Sequence, residues 1–397
     1  MRFQWIDAAP VRNIISALTA RDADAVRFVG GCVRDSLLGH APKDIDLATV
    51  LTPPQVIESL RAAGLSAAPT GIDHGTVTAI SDHFPVEVTT LRADVSTDGR
   101  RATVAFTTDW AADARRRDFT LNALYLTPDL RLFDPVGGEG DLVAGRVRFI
   151  GAAEDRIRED YLRILRFFRF SARFAADFDR QGLSACATLK AGVGNLSAER
   201  VGDEFSKILS LPTAARAVAA MAETGVLAEI WPAPASLPAL ERAKQLDPDA
   251  PAPLGLAALW GDMGEGVDAR LRLSNADGLR RRRAVERAPS IHASLTDQAV
   301  RALVYRYGAA GFHDALLLAQ ARSAMDLSRV RTVAAAFTPP PSPFSGNDAL
   351  AGGVPEGPKV ASVLNAAEAR WIAEDFPPPS RAKAILAEEI ARLTGKD

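Results

Sequence analysis

The chain has 397 residues, of which 47% are hydrophobic and 24% charged, with a formal net charge of −2 and only two cysteines. That length exceeds one ordinary core, so two to four domains are expected, and the near-neutral balance excludes a globally basic nucleic-acid binder. Cys32 and Cys186 stand too far apart for a metal-ligand or redox motif, which makes a disulfide-free, cytoplasmic protein the simplest expectation. The opening MRFQWIDAAPVRNII lacks a charged leader followed by an apolar run, and no stretch approaches about 20 apolar residues, so neither export nor a membrane span is expected. The basic residues are mostly arginine and cluster at Arg115 to Arg117, Arg156 to Arg173 and Arg280 to Arg283. Phosphate binding is local and is screened within about 10 Å at 0.1 M salt, so clusters count for more than totals.

Residues 1 to 25 read as a helix with Ile14, Ile15 and Leu18 on one side, leading into a strand from Val26 to Val29. A double-glycine turn, Gly30 and Gly31, a short helix from Val33 and a second strand carrying Asp44 and Asp46 follow. On a strand, those two aspartates project from one face while Ile45 and Leu47 take the other. The glycines let backbone approach a ligand, helix-start amides can bind phosphate oxygens, and Arg34 stands near as a bidentate clamp. A double glycine alone is usually a tight turn and Asp-x-Asp alone a solvated strand end. Together they point to a divalent metal and a nucleoside triphosphate.

A helix from Pro53 to Ala63 is expected next, capped by Thr52, then an antiparallel hairpin from GIDHGTVTAI and FPVEVTTLR. Glu87 is a carboxylate within an otherwise apolar and threonine-rich strand, either an outward residue of a half-exposed sheet or a third acidic group. Between Arg92 and Asp113 the polar, glycine-containing composition suggests a mobile loop over the site. RRRDFTLNALYL then sets three arginines before Asp118, with Asn122 ahead of a strand from Ala123 to Leu126. LFDPVGGEGDLVAGRVRFIG reads as a turn-rich link.

From Arg156 to Phe174 the spacing predicts one helix, with an apolar stripe of Ile157, Tyr161, Ile164, Leu165, Phe168 and Ala172. Its other side carries Glu159, Asp160, Arg163, Arg166, Arg169 and Arg173 at spacings of three and four, which without further context is a surface face laced with salt bridges. Helical patterns continue, broken by WPAPASLP at 231 to 238 and DPDAPAP at 247 to 253. Arg280 to Arg283 read as a solvated face, and the adjacent His313 and Asp314 are too few for a second metal site. TPPPSPFSGNDALAGGVPEGPK reads as a flexible link to a last helical piece around Trp371.

Taken in order, GGCVRDSLLG with KDIDLAT, RRDFTLNA, LFDPVGGEGDLVAGRVRFIG, EDYLR with RILRFFRFSARF, and SAERVGDEF resemble the motifs of the class II nucleotidyltransferases. That family holds the CCA-adding tRNA nucleotidyltransferases and the bacterial poly(A) polymerases, and the resemblance covers roughly residues 25 to 210. It implies an α+β fold: a polymerase-beta-type head with a mixed sheet over 1–150, then an all-α neck over 151–235, a body over 236–337 and a tail over 338–397. It implies catalytic Asp44, Asp46 and Glu87, with Asp44 and Asp46 holding Mg²⁺. Gly30, Gly31, Arg34, Arg117, Asp118 and Asn122 would bind the nucleotide, with Asp118 near the ribose hydroxyl. Asp160 and Arg163 would read the base edge, and Arg166 and Arg169 would face the triphosphate. Glu199, Arg200 and Glu204 would buttress the helix pair.

A carboxylate accepts from the exocyclic amine of cytosine or adenine while a guanidinium donates to a ring nitrogen or carbonyl, so CTP and ATP are favoured over UTP and GTP. The reaction implied is CCA addition to the 3′ acceptor end of tRNA with release of pyrophosphate. Three rivals stay open: a poly(A) polymerase of the same branch, an enzyme that adds only CC or only A, and a non-catalytic tRNA-binding protein on the same scaffold. TGIDHGTVTAI and the absence of a GRRF-type insertion weigh against the first. Monomer and homodimer are both compatible with the sequence.

Overall fold

The computed structural model describes residues 3–98, 101–264 and 266–394, with the backbone alone for 94–98, 101–104, 264 and 394. The chain divides into two compact units, Met1–Pro232 and Ala233–Asp397.

The first unit is built on a mixed sheet of β1 (Val26–Val29), β2 (Asp46–Thr49), β3 (Ser66–Gly71), β4 (Thr76–Ser81), β5 (Phe84–Thr90), β8 (Tyr125–Leu126) and β9 (Leu132–Phe133), in the order β3-β4-β5-β2-β1-β8-β9. Only the β2–β5 pairing is parallel. α1 (Ala9–Thr19) and α3 (Pro53–Ala62) cover one face, against Val77, Ala79, Val86 and Val88. Thr52 caps α3 as expected, and with Gln55 it forms a capping box. Period-2 alternation sends Thr78, Glu87 and Thr89 to the other face. Near β1 and β8 that face is filled by Val29, Ala48, Leu91, Tyr125 and Trp110, the last on α4 (Trp110–Arg115). At the β4–β5 end it is open.

α2 (Gly31–Leu37) begins two residues earlier than the sequence suggests. The expected loop over 92–113 is instead an antiparallel ribbon, β6 (Arg92–Asp98) with β7 (Arg101–Phe106), followed by α4; residues 99 and 100 lie outside the described ones. α5 (Gly138–Val143) packs on a 3₁₀ turn at Thr120–Asn122. The helix expected over 156–174 is two helices, α6 (Ala153–Glu159) and α7 (Leu162–Phe174), because Asp160 is extended, with φ −155° and ψ 106°. α8 (Arg180–Leu189), α9 (Ala198–Leu209), α10 (Ala214–Glu223) and α11 (Val226–Ile230) complete the unit. Ser197 caps α9 by accepting from the Arg200 amide, a contribution of about 1 kcal/mol.

In the second unit, α12 (Leu237–Leu246), α13 (Ala252–Trp260), α14 (Val267–Arg270), α15 (Asn275–Arg287), α16 (Asp297–Tyr307), α17 (Ala309–Ser323) and α18 (Ser328–Ala335) precede α19 (Gly346–Ala351), α20 (Pro358–Ala373) and α21 (Pro379–Thr394). Arg280 to Arg283 are not simply a solvated face. Arg280 grips both oxygens of Asp314 at 2.7 and 2.9 Å, and Arg281 and Arg282 both reach Asp268 at 2.5 Å. The stretch read as a flexible link carries α19, whose Ser345 and Asp348 form a capping box, and buries Ala349 and Val354 in a core with Trp371. No helix among the described residues is long and apolar enough to cross a membrane.

Candidate active-site cleft

The open part of the sheet and the start of α7 enclose a cleft of about 700 Å³ lined by every catalytic and nucleotide-binding candidate. Gly30, Gly31 and Arg34 reach it from the β1–α2 turn, and Asp44, Asp46 and Glu87 from β2 and β5. Arg117, Asp118 and Asn122 enter from the segment before β8, and Asp160, Arg163, Arg166 and Arg169 from the α6–α7 break.

Gly30 has φ +72° and ψ −122°, a backbone that residues with a Cβ rarely adopt, and its amide donates to the Leu124 carbonyl at 3.1 Å. The turn is thereby tied to the approach of β8.

Asp46 stands opposite Glu87 in the parallel register of β2 and β5. Asp44 does not share that strand; it lies in the bend before it, so the one-face arrangement expected of the two aspartates is formed by Asp46 and Glu87, with Asp44 beside them. Burial, then the negative charges of Glu87 and Asp44 against the opposing pull of Arg117, push the Asp46 carboxyl up to about 6. A cation here would relieve that repulsion. The donors are hard carboxylate oxygens, and the nearest thiol, Cys32, is held protonated by burial, its pKa raised to about 11. Among the described residues no three acidic, His or Cys groups close on one point. A hard divalent cation that completes its shell with water and substrate oxygens fits this donor set.

The arginine wall is organised by carboxylates. Asp113, 1% exposed, accepts from Arg116 Nε at 3.0 Å, from Arg117 Nη2 at 3.0 Å, from the Tyr125 hydroxyl at 2.7 Å and from the Arg92 amide at 3.1 Å. Burial would raise its pKa, but the two guanidinium groups and these hydrogen bonds outweigh it and hold it at about 2. Asp118 accepts from Arg166 Nε at 2.7 Å and from Asn122 Nδ2 at 3.1 Å. Burial again opposes ionisation, and the Arg166 charge with these bonds keeps its carboxyl below the usual carboxylate range. Arg169 pairs with buried Glu204, and Arg200 reaches Asp160 at 2.8 Å, so α9 does buttress α7.

Arg34 differs from the clamp read in the sequence. It is 5% exposed, bonded to Asp35 at 2.7 Å and to the Asn122 side-chain oxygen at 2.6 Å, with its guanidinium 4.3 Å from the Phe174 ring centre. Its Nε and Nη2 are spent on Asp35 and its Nη1 on Asn122. Arg163 donates to the Arg156 carbonyl at 2.8 Å, to Glu159 at 2.5 Å and to the Arg116 carbonyl at 3.2 Å.

Sequence reasoning missed Arg92, Arg116, Thr89 and Phe170, which also line the cleft, and the organising pair Asp113 and Tyr125. Asp113 lay three and four residues before Arg116 and Arg117, a spacing that signals an ion pair on a helix. Tyr125 carried no such signal.

Residues 26–148 match the model of the poly A polymerase head domain, and residues 177–237 match that of the probable RNA and SrmB-binding site of polymerase A. The mouse mitochondrial CCA tRNA nucleotidyltransferase 1 is 40% identical over 272 residues, 66% of this chain and 63% of that protein. The CCA-adding enzyme of Oceanobacillus iheyensis is 41% identical over 183 residues, 46% of this chain and 45% of that enzyme. The chain thus spans 63% and 45% of the lengths of these curated relatives. Among solved structures, the Bacillus stearothermophilus CCA-adding enzyme in complex with CTP superposes with a TM-score of 0.71 at 26% identity, covering 97% of this chain and 98% of that one. In its two matched segments, its mixed-sheet head and its helical remainder, the chain is similar to the class II tRNA nucleotidyltransferases and bacterial poly(A) polymerases.

Proposed function

We propose that this protein adds CCA to tRNA 3′ ends, using CTP and ATP and releasing pyrophosphate. The observation that supports it is the meeting, in one cleft, of the Asp44, Asp46 and Glu87 carboxylates with an arginine wall ending at the extended Asp160. The 3′ oxygen of the acceptor forms a bond to the α-phosphorus, the bond from that phosphorus to the bridging oxygen breaks, and pyrophosphate leaves with its electron pair. The hydroxyl proton departs towards the Asp46–Glu87 pair. Asp44 and Asp46 would hold Mg²⁺, which when bound lowers the pKa of the attacking hydroxyl and neutralises charge on the phosphates. The protein's own part is positioning and electrostatics.

Arg117, Arg166 and Arg169 offer charge to the triphosphate, with Gly30 and Gly31 allowing close backbone approach and Asp118 and Asn122 near the sugar. Arg34 acts through Asn122. Asp160 and Arg163 read the base edge: Asp160 keeps acceptor capacity beside its bonds to the Leu162 amide and Arg200. The functional division is a head over 1–150, a neck over 151–235, a body over 236–337 and a tail over 338–397 that holds tRNA. The two buried free thiols suit a reducing compartment such as the cytoplasm.

The test is incubation of the full chain and Mg²⁺ with tRNA lacking its 3′ end and labelled CTP, ATP, both, or UTP, with products sized to one nucleotide. Three added nucleotides requiring both CTP and ATP, then a stop, is the expected result. A long ATP-only ladder would make it a poly(A) polymerase, a stop at CC or addition of A alone a partial enzyme. Tight tRNA binding with no extension would make it a binding protein.

A further inference from the structure

The three carboxylates line two cavities. The second, of about 560 Å³, shares Asp44, Asp46 and Glu87 with the arginine cleft but is otherwise walled by Lys43, Thr78, Phe84 and Pro85 with Ile45. The two lie on opposite sides of the carboxylates along the strands. On one face of β5, Pro85 lines the second cavity, Glu87 lines both, and Thr89 lines the cleft. On β2 and the bend before it, Lys43 and Ile45 line the second cavity, Asp46 both, and Leu47 the cleft.

The walls are chemically unlike. Among the described residues, the arginines line the cleft, whereas the second cavity is lined by one lysine and no arginine. Displacement at phosphorus places attacking and leaving oxygens roughly in line, on opposite sides of the reacting atom. A leaving pyrophosphate with several charges belongs on the arginine side. The attacking hydroxyl therefore approaches across the carboxylates, from the second cavity.

What stands there suits one nucleotide of an RNA strand. Phe84 is a large hydrophobic side chain 39% exposed, held where β5 leaves the tight turn at Asp82 and His83, both of positive φ. A single exposed phenylalanine is ordinary on a protein surface, but this one lines the same cavity as the catalytic carboxylates. A flat ring stacks on any base, which tolerates an acceptor end that changes with each addition. Lys43 is a point charge matched to one phosphodiester rather than to a triphosphate, and Thr78, opposite Glu87 in the β4–β5 register, offers a hydroxyl to the sugar.

We infer that this second cavity seats the 3′-terminal nucleotide of the acceptor RNA, with Phe84 under its base and Lys43 at its last phosphodiester. The inference rests on the nucleotidyl-transfer reading. Its test uses the full chain, tRNA lacking its 3′ end, and CTP. In single-turnover addition at saturating CTP, Phe84→Ala and Lys43→Glu slow the first addition about tenfold or more, on the scale of one lost base stack. The affinity for CTP measured without RNA stays at the wild-type value, which also reports a folded cleft, and Phe84→Trp restores the rate. Wild-type rates in both variants would overturn the subsite, and so would an equal loss of CTP affinity, which would assign the cavity to the nucleotide. Failure of the wild-type chain to extend any tRNA would instead overturn the underlying reading.

Discussion

Arg166 sets both its Nε and its Nη2 on a single oxygen of Asp118, at 2.7 and 2.5 Å, across 48 positions of sequence. The contact fastens α7 to the segment that carries Arg117 and Asn122, alongside the Arg163 bond to the Arg116 carbonyl. Asp118 is only 8% exposed, and its charge is costly there without a partner.

Arg166→Ala is expected to destabilise the protein by about 2 kcal/mol, since Arg166 is itself partly exposed and the loss is mostly that of an unsatisfied Asp118. Arg166→Lys should recover only part, because an ammonium lacks the planar fork. Urea unfolding measures both; equal stability of wild type and alanine variant would mean that Asp118 finds its charge balance elsewhere.

Asp46→Asn and Glu87→Gln should each lower nucleotide incorporation by at least about 10²-fold, the scale of losing one preorganised charge-stabilising group. Circular dichroism and tRNA binding should remain at wild-type level. Near-normal turnover would remove the carboxylates from the chemistry.

Asp113 makes stability depend on acid. Its folded pKa, about 2, lies below its value in an unfolded chain, so its stabilisation is fully present above pH ~4 and is lost as pH falls through about 2. The shift corresponds to about 2 kcal/mol. Asp113→Asn should flatten that limb of the stability–pH curve, and an unchanged slope between pH 4 and 2 would assign the acid sensitivity to other groups.

Asp160→Ala should relax base choice before it removes chemistry. Losing one base-edge partner costs about 1–3 kcal/mol of discrimination, which competition between CTP and UTP would register as a roughly 5- to 100-fold change in preference. Discrimination equal to wild type would mean that another group reads the base.

Two glycines of α5 provide a packing test. A Cβ on Gly138 would lie 2.1 Å from the Thr120 carbonyl oxygen, whereas one on Gly140 would meet nothing within 4 Å. Gly138→Ala should cost about 1–3 kcal/mol, and Gly140→Ala should be neutral or slightly stabilising. Matched melting temperatures for the two variants would show that the contact can relax.

Local chemistry made much of the head legible. The β1 strand, the Gly30 turn, the cap of α3 and the β4–β5 hairpin all follow from short-range rules, and the motif residues drawn from them line one cleft. β3 was missed because SAAPTG has weak strand character; it is an edge strand, where Pro69 is tolerated, and pairing with β4 makes it a strand. The break at Asp160 was missed because the apolar positions continue through it in helical period, as both α6 and α7 bury their inner faces. The supposed link after 337 looked polar and glycine-rich, yet Ala349 and Val354 dock onto Trp371.

By itself, the sequence determined what depends on residue type and spacing: which backbone positions require glycine, where carboxylates and arginines fall in order, and which helix starts are capped. The tertiary structure decided which carboxylate each arginine meets. Arg34 is spent on Asp35 and Asn122, Arg117 on Asp113, Arg166 on Asp118, and Arg280 on Asp314. It also decided that Asp46 faces Glu87 rather than sharing a strand with Asp44. The reason is physical: a charge takes as its partner whichever opposite charge lies nearest in space and least in contact with water, and neither distance nor burial is a property of order along the chain.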